Sequence, residues 1–336
     1  LGILVVLALG SVAKIMSSIV IPLLIAVLLS FVLAPLIKFL ERLKVPRILA
    51  IFTVLLILMG FLYLVGLFLY ASINSFVRQF PKYQARFEEL YHRLNMMLAS
   101  EFNVQQGILA GIDWSSAIRS SLVSISGSFM GILSDALLVM IFVIFLLIER
   151  PYTKVKLEQA FTGDTSHRIA RIFDHINQEI ARYLSLKFFI SLATGLLVWI
   201  VLLVIGLDFA LIWGVLTFLL NFIPSIGSII AVTIISLMGV IQFFPAWGTV
   251  ILVAVTMTSI QFVIGNILDP RLQGHRLDLS PFLILFSLVL WGWIWGIVGM
   301  FIAVPVMVVI KIICENIPSL HPIGIIMGAG FQRKSK

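Results

Sequence analysis

The sequence predicts an all-α integral membrane protein of about eight hydrophobic segments, two of them re-entrant or broken hairpins, with a small extracytoplasmic helical insert. Three observations predict this class. Of the 336 residues, 61% are hydrophobic and only 11% charged, and the mean hydropathy is +1.16, more apolar surface than a soluble domain can bury. Apolar runs of about 20 residues, the length that spans a bilayer as helix, recur from end to end, so no single one reads as a removable signal peptide. Phe, Ile, Leu and Val dominate those runs without period-two alternation, which favours helices over a membrane barrel.

The net charge of +8 does not point to nucleic acid. Lys and Arg cluster just outside the apolar runs, where the positive-inside rule expects them. The single Cys314 allows no internal disulfide and reads as a small buried apolar residue. The five His residues show no zinc-type spacing, so neither metal nor cofactor is expected.

The elements follow in chain order. The first apolar block runs to Ile37 with interruptions at Lys14 and Pro22, giving a helix through about Ala13 and a second from about Ile15 to Ile37. The loop "KFLERLKVPR" sets Lys38, Arg42, Lys44 and Arg47 against one Glu41, the mark of a cytoplasmic loop. A third span from Ile48 to about Ala71 completes the N-terminal helices, 1–72.

Residues 73–130 differ in kind. Phe80, Tyr83, Phe87, Leu90, Leu94 and Met97 recur at spacings of three and four, one apolar stripe, with Arg86, Glu88, Glu89 and Arg93 mostly off it. By parity this insert lies outside the cytoplasm, and the span 131–148 returns inside. Segment 149–187 is basic and amphipathic. Asp164 and Thr165 can cap a helix carrying Ile169, Ile172, Ile176, Ile180 and Leu184 on one side, at the cytoplasmic membrane surface, leading into a span at Phe188–Leu207.

Segment 188–314 holds the unusual features. From Phe209 to Leu268 there is no Lys, Arg, Asp, Glu or His, yet "NFIPSIG" at 221–227 is a chain-breaker. Phe209 to Ile223 makes only about 22 Å of helix against roughly 30 Å of hydrocarbon, and Ser225 to Ile241, stopped near Pro245, is little longer. Two short arms predict a hairpin dipping from outside, followed by a true span at Trp247–Leu268. Leu279 to Ile310 is likewise too short for two spans and predicts a second hairpin turning near "WGWIWGIVG". Kinked full spans are the competing possibility at both places. "GSIIAV" at Gly227 echoes "GMFIAV" at Gly299, as an inverted repeat with broken helices would. The tail 315–336, with Arg333, Lys334 and Lys336, should stay inside, leaving both termini cytoplasmic.

"LLNFIPSIGS", "GNILDPRLQG", "LSLVLWGWIWGIVGM" and "IAVP", in that order, resemble the C-terminal signature of the autoinducer-2 exporter family of bacterial membrane proteins. "RYLSLKFFISLATGL", "LDFALIWGVLTFLLN", "PLLIAVLLSFVLAPLI", "VPRILA" and "FLLIER" extend the similarity over nearly the whole chain. The resemblance implies a non-enzymatic, multi-pass transporter of the bacterial inner membrane. Some members are assigned to autoinducer-2 export and others to sodium or lithium/proton antiport. The expected function is export of a small polar, autoinducer-2-like solute by alternating access. Antiport is the alternative, and a non-transporting membrane scaffold or regulator the second. No HExxH, P-loop or nucleophile elbow is present.

The candidate substrate-binding residues are Asn221, Pro224, Ser225, Gly227 and Asn266. An amide can bind a polyol or help coordinate Na⁺, although it also serves as a helix–helix hydrogen bond. Pro224, Ser225 and Gly227 would shape the tip, with Gly227 permitting positive φ. Asp269 and Arg271, flanking Pro270, are candidates for gating or ion coupling, as is Glu149; solvated helix ends explain them equally. Asp135 lies near an outer span end. Trp291, Trp293 and Trp295 could wall a pocket or form an aromatic belt. Expected partners are a small-molecule or ion substrate, the lipid bilayer and, from the apolar surface and the family resemblance, further copies of the chain.

Overall fold

The computed structural model describes residue 10 and residues 14–102, 129–161, 164–273 and 278–330. The expected first helix, the insert from 103 to 128 and the basic tail lie outside the described residues, as do the side chains of Asp164, Thr165, Leu94 and Met97. Among the described residues the secondary structure is helical throughout. The helices are α1 (Ser17–Arg42), α2 (Arg47–Phe102), α3 (Phe129–Ala160), α4 (Asp164–Ile205), α5 (Ala210–Leu220), α6 (Ile226–Phe243), α7 (Trp247–Val263), α8 (Asp269–Gln273), α9 (Pro281–Asn316) and α10 (His321–Ile326). A π-helical turn, Ile264–Leu268, joins α7 to α8. Seven of the apolar helices are long enough to cross a membrane, and α5 is not.

The N-terminal part is a three-helix group. Ala26, Leu33 and Ile37 of α1 meet Ala50, Ile51, Val54 and Leu55 of α2 and Val139, Val143 and Leu147 of α3. Within each helix these residues lie at spacings that share one face. A second cluster joins Phe31 of α1 to Ile180, Tyr183 and Leu184 of α4 and to Val304, Met307, Val308 and Ile312 of α9. A third gathers α4, α5, α6 and α7 around Val198, Leu202, Ile235, Val253 and Met257. Along it, α4 and α5 touch backbone to backbone: a Cβ on Gly195 or on Gly214 would come within 2.8 Å of the other's carbonyl oxygen. Small residues permit such an approach between helices in lipid.

Composition and backbone part company at two boundaries. The third span and the start of the insert form one helix, α2, of 56 residues and about 84 Å. From Leu67 to Phe80 the residues turn from apolar to polar with neither Gly nor Pro, so the surroundings change while the hydrogen-bond ladder continues. The amphipathic segment and the span after it are likewise a single rod, α4, of 42 residues.

Candidate functional site

NFIPSIG forms a tight turn between α5 and α6. Asn221 N donates to Thr217 O at 2.9 Å, Ile223 N to Leu220 O at 2.9 Å and Gly227 N to Ile223 O at 3.1 Å, so the helical ladder winds down through the turn rather than stopping. The left-handed residue is Ser225, with φ 59°, and not Gly227, for which positive φ was expected. Gly227 is required for another reason: a Cβ there would lie 1.7 Å from the Leu220 carbonyl oxygen. The chain has folded back until the two arms touch. α6, at 18 residues, is long enough to span, unlike its partner arm α5.

A second reversal lies inside α9, where Trp295 (φ −124°, ψ 17°) and Gly296 (φ 61°, ψ −142°) leave helical geometry. A Cβ on Gly299 would sit 1.9 Å from the Trp291 carbonyl oxygen; in a continuous helix, residues eight apart are about 12 Å apart along the axis. The Trp291 and Trp295 rings stack at 4.9 Å, while Trp293 faces outward beneath the Lys14 ammonium. Gly227 and Gly299, the two glycines of the sequence echo, therefore do the same work in their hairpins. Ser280 caps the first arm of α9, accepting from Leu283 N at 3.1 Å with Pro281 in the first turn, a favoured helix start.

The open ends of the hairpins lie at opposite ends of the bundle. At the base of the first, Asp208 N donates to Gln242 Oε1 and Gln242 Nε2 to Gly206 O, both at 2.8 Å. Tyr83 of α2 donates to Asp208 Oδ2 at 2.5 Å, and Arg86 donates to the Gln242 carbonyl. At the base of the second, Lys311 Nζ pairs with Asp278 Oδ2 at 2.8 Å, and Arg168, near the start of α4, donates to the Asn316 carbonyl. Since α4 runs from Arg168 near one base to the Gly206 turn at the other, the two bases lie at opposite ends of α4. The first tip packs against the arms of the second hairpin: Phe222 lies 5.6 Å from Phe301, ring to ring, and Ile223 packs on Leu288 and Ala303, each seven residues from the Trp295–Gly296 turn.

Buried polar groups lie on the elements around these tips. Asn221, 8% exposed, donates from Nδ2 to Ser191 Oγ of α4 at 3.0 Å. Thr217, one turn before it on α5, is fully buried, and its Oγ1 has no hydrogen-bond partner among the described residues. Trp291 Nε1 in the second hairpin and both amide atoms of Gln261 on α7 are also buried without one. Native interiors rarely leave such groups unmet.

Asn221, Pro224, Ser225 and Gly227 thus assemble at one tip. The other candidates lie elsewhere. Asn266 is exposed in the π-helical turn and donates to its own helix at Phe262 O, 3.3 Å away. Asp269 is paired with Lys187, 4% exposed, at 2.8 Å, whereas Arg271, the other candidate flanking Pro270, is exposed. Glu149 is exposed and pairs with Lys156, and Asp135 is exposed at its span end. Cys314 is buried and free. No group of three or more metal-binding side chains occurs among the described residues. Ser191, Thr217 and Lys187 were missed. Their one sequence signal is polarity inside long apolar runs, with Lys187 and Ser191 one turn apart on α4.

Long apolar helices, with one helical hairpin packed on another, define a multi-pass all-α membrane protein. The chain belongs to the AI-2E family of transporters, whose pattern it matches over residues 1–319. A protein of Borreliella burgdorferi whose name assigns it provisionally to transport is 39% identical over 315 residues, 94% of this chain and 86% of that protein. One of Haemophilus influenzae, named in the same way, is 33% identical over 340 residues, 98% of this chain and 95% of its own. The AI-2 transport protein TqsA of Escherichia coli is 30% identical over 328 residues, 97% of this chain and 94% of TqsA. The chain is accordingly a membrane transporter.

Proposed function

We propose that this transporter exports a small polar solute of the autoinducer-2 type across the bacterial inner membrane by alternating access, with both termini in the cytoplasm. The observation that carries it is the packing of one hairpin's tip on the arms of a second hairpin whose open end lies at the other end of the bundle. α5 reaches in by about 16 Å and the arm from Pro281 to Leu288, where the first tip rests, by about 12 Å, so their contact falls near the middle of roughly 30 Å of hydrocarbon. Interrupted backbone at that depth requires shelter by protein or water. Here the arms of the second hairpin shelter the first tip. Withdrawal of one at a time opens the route to one side only, the behaviour of repeat-built transporters.

The groups that would meet a solute are the Asn221 amide, the Ser191 and Thr217 hydroxyls and the Trp291 indole N–H, a donor-and-acceptor set suited to hydroxyls. Pro224, Ser225 and Gly227 hold the tip in shape. The name of the related TqsA favours autoinducer-2 as the solute.

The test is efflux of labelled autoinducer-2 from proteoliposomes. Asn221→Ala and Thr217→Val should each lower the flux about tenfold, the loss of one hydrogen bond to the moving solute. Wild-type flux in both variants would overturn the assignment of the site.

Sodium- or lithium-coupled proton antiport is the alternative, favoured by the Asp269 carboxylate held against a buried Lys187. Antiport requires Na⁺-driven proton movement that Asp269→Asn abolishes, without autoinducer flux. If the first tip serves no passage and the chain is a scaffold, Asn221→Ala combined with Thr217→Val will leave its cellular activity intact. Outward apolar side chains such as Leu56, 75% exposed, and Val204, 81% exposed, face lipid or further copies of the chain in a homo-oligomer.

A further inference from the structure

We propose that the cavity between α1, α2 and α3 at the basic end of the bundle is a binding site for a phosphate group, that of an anionic phospholipid headgroup or of free phosphate. The cavity, of about 170 Å³, is lined by Ile37, Lys38 and Glu41 of α1, Arg47 of α2 and Leu147 and Arg150 of α3. Three cations therefore face one carboxylate. Arg47 spends Nη1 on Glu41 at 3.2 Å and Nη2 on the Leu147 carbonyl at 3.0 Å. Its Nε is buried without a partner among the described residues. Arg150 lies over the Phe31 ring at 5.1 Å, and among the described residues its guanidinium donates to the Ser30 carbonyl at 3.5 Å, at the far limit of hydrogen bonding. Lys38 is exposed and makes no ion pair among the described residues.

Glu41 neutralises one of these charges and leaves an excess of two, with guanidinium N–H groups whose planar fork suits phosphate oxygens. Arg47 is also the first residue of α2, where the positive end of the helix dipole adds to the same field. Around the cavity the outward surface is apolar: Leu36, Phe39, Ile48 and Phe145 are 50%, 62%, 61% and 68% exposed. A phosphate in the cavity with acyl chains along that surface satisfies both chemistries at once, and basic pockets between helices at the cytoplasmic interface hold anionic headgroups in this way. The arrangement stands independently of the transported solute, because none of its residues belongs to either hairpin.

The test uses the full-length protein in a neutral detergent, with lipid retention read by native mass spectrometry and stabilisation by thermal unfolding. The probes are phosphatidylglycerol, phosphatidylcholine and inorganic phosphate. Phosphatidylglycerol should bind and raise the unfolding temperature of the wild type, and phosphatidylcholine should not. Lys38→Gln combined with Arg150→Gln should weaken phosphatidylglycerol binding about thirtyfold, at about 1 kcal/mol for each cation removed. Arg42→Gln combined with Lys44→Gln, an equal change of charge outside the cavity, should leave it within about twofold. Lipid-free unfolding temperatures must match the wild type, which separates lost binding from lost folding. Displacement of the lipid by millimolar inorganic phosphate would support the same site with free anion as its occupant; lack of displacement supports the headgroup. Equal weakening in both double variants, or none in the cavity variant, overturns the proposal.

Discussion

Gly227 lies so close to the Leu220 carbonyl that an added methyl group would overlap it, and Gly299 stands to Trp291 in the same way. Gly227→Ala and Gly299→Ala should each destabilise the protein by about 1–3 kcal/mol, the usual cost of overpacking, or by more where the obstacle is backbone that cannot yield. Gly60 has open space around it, so Gly60→Ala should be neutral or stabilising. Thermal unfolding in detergent compares the three, and wild-type stability in both hairpin variants would refute the folded-back arms. The buried Lys187–Asp269 pair makes a second case. Lys187→Met leaves Asp269, 17% exposed, without its cation and should cost about 3–5 kcal/mol. Adding Asp269→Asn should recover much of that loss, and simple additivity of the two substitutions would count against a direct pair. Asn221 and Gly227 were legible in the sequence because a polar breaker in an uncharged run is conspicuous. Lys187 was not, since nothing in one strand of letters tells which of Arg271 and Lys187 the fold brings to Asp269.

At the scale of elements, the long helix α2 grips the base of the first hairpin. Tyr83 and Lys82 both reach Asp208, the Tyr83 ring contacts Phe209 at 6.0 Å, and Arg93 lies 5.5 Å from the Phe244 ring. Tyr83→Phe combined with Asp208→Asn should loosen this clasp by about 1–3 kcal/mol, since one partner is charged. Hydrogen exchange should then quicken at 206–209 while the amides of 250–257 keep their protection. Equal exchange in both segments would mean that the clasp contributes nothing local. The stripe through Phe80 and Tyr83 revealed the docking face of this helix. It concealed the continuity with the span before it, because hydropathy reports the solvent around a helix and not where its ladder ends.

For the whole molecule, opposed hairpins make a statement about sidedness. With Cys314→Ser as background, a cysteine at Lys44 should react with a membrane-impermeant maleimide only when the cytoplasmic face is accessible. A cysteine at Trp247, 56% exposed at the base of the first hairpin, should react only from the opposite face. Labelling of both from one side would place the hairpins on the same side and remove the symmetry on which alternating access rests.

Sequence by itself determined the class, the apolar runs of spanning length and the two places where a long apolar helix breaks, because those depend on local quantities: hydrophobic content, run length and helix-breaking residues. The echo between Gly227 and Gly299 was visible as letters. Tertiary structure alone decided that both glycines are pressed against a preceding carbonyl, that the first tip rests on the second hairpin through Phe222 and Phe301, and that Ser191, Thr217 and Lys187 stand where they do. Those are contacts between residues tens of positions apart, and a long apolar helix has no preferred face until its neighbours are present to choose one.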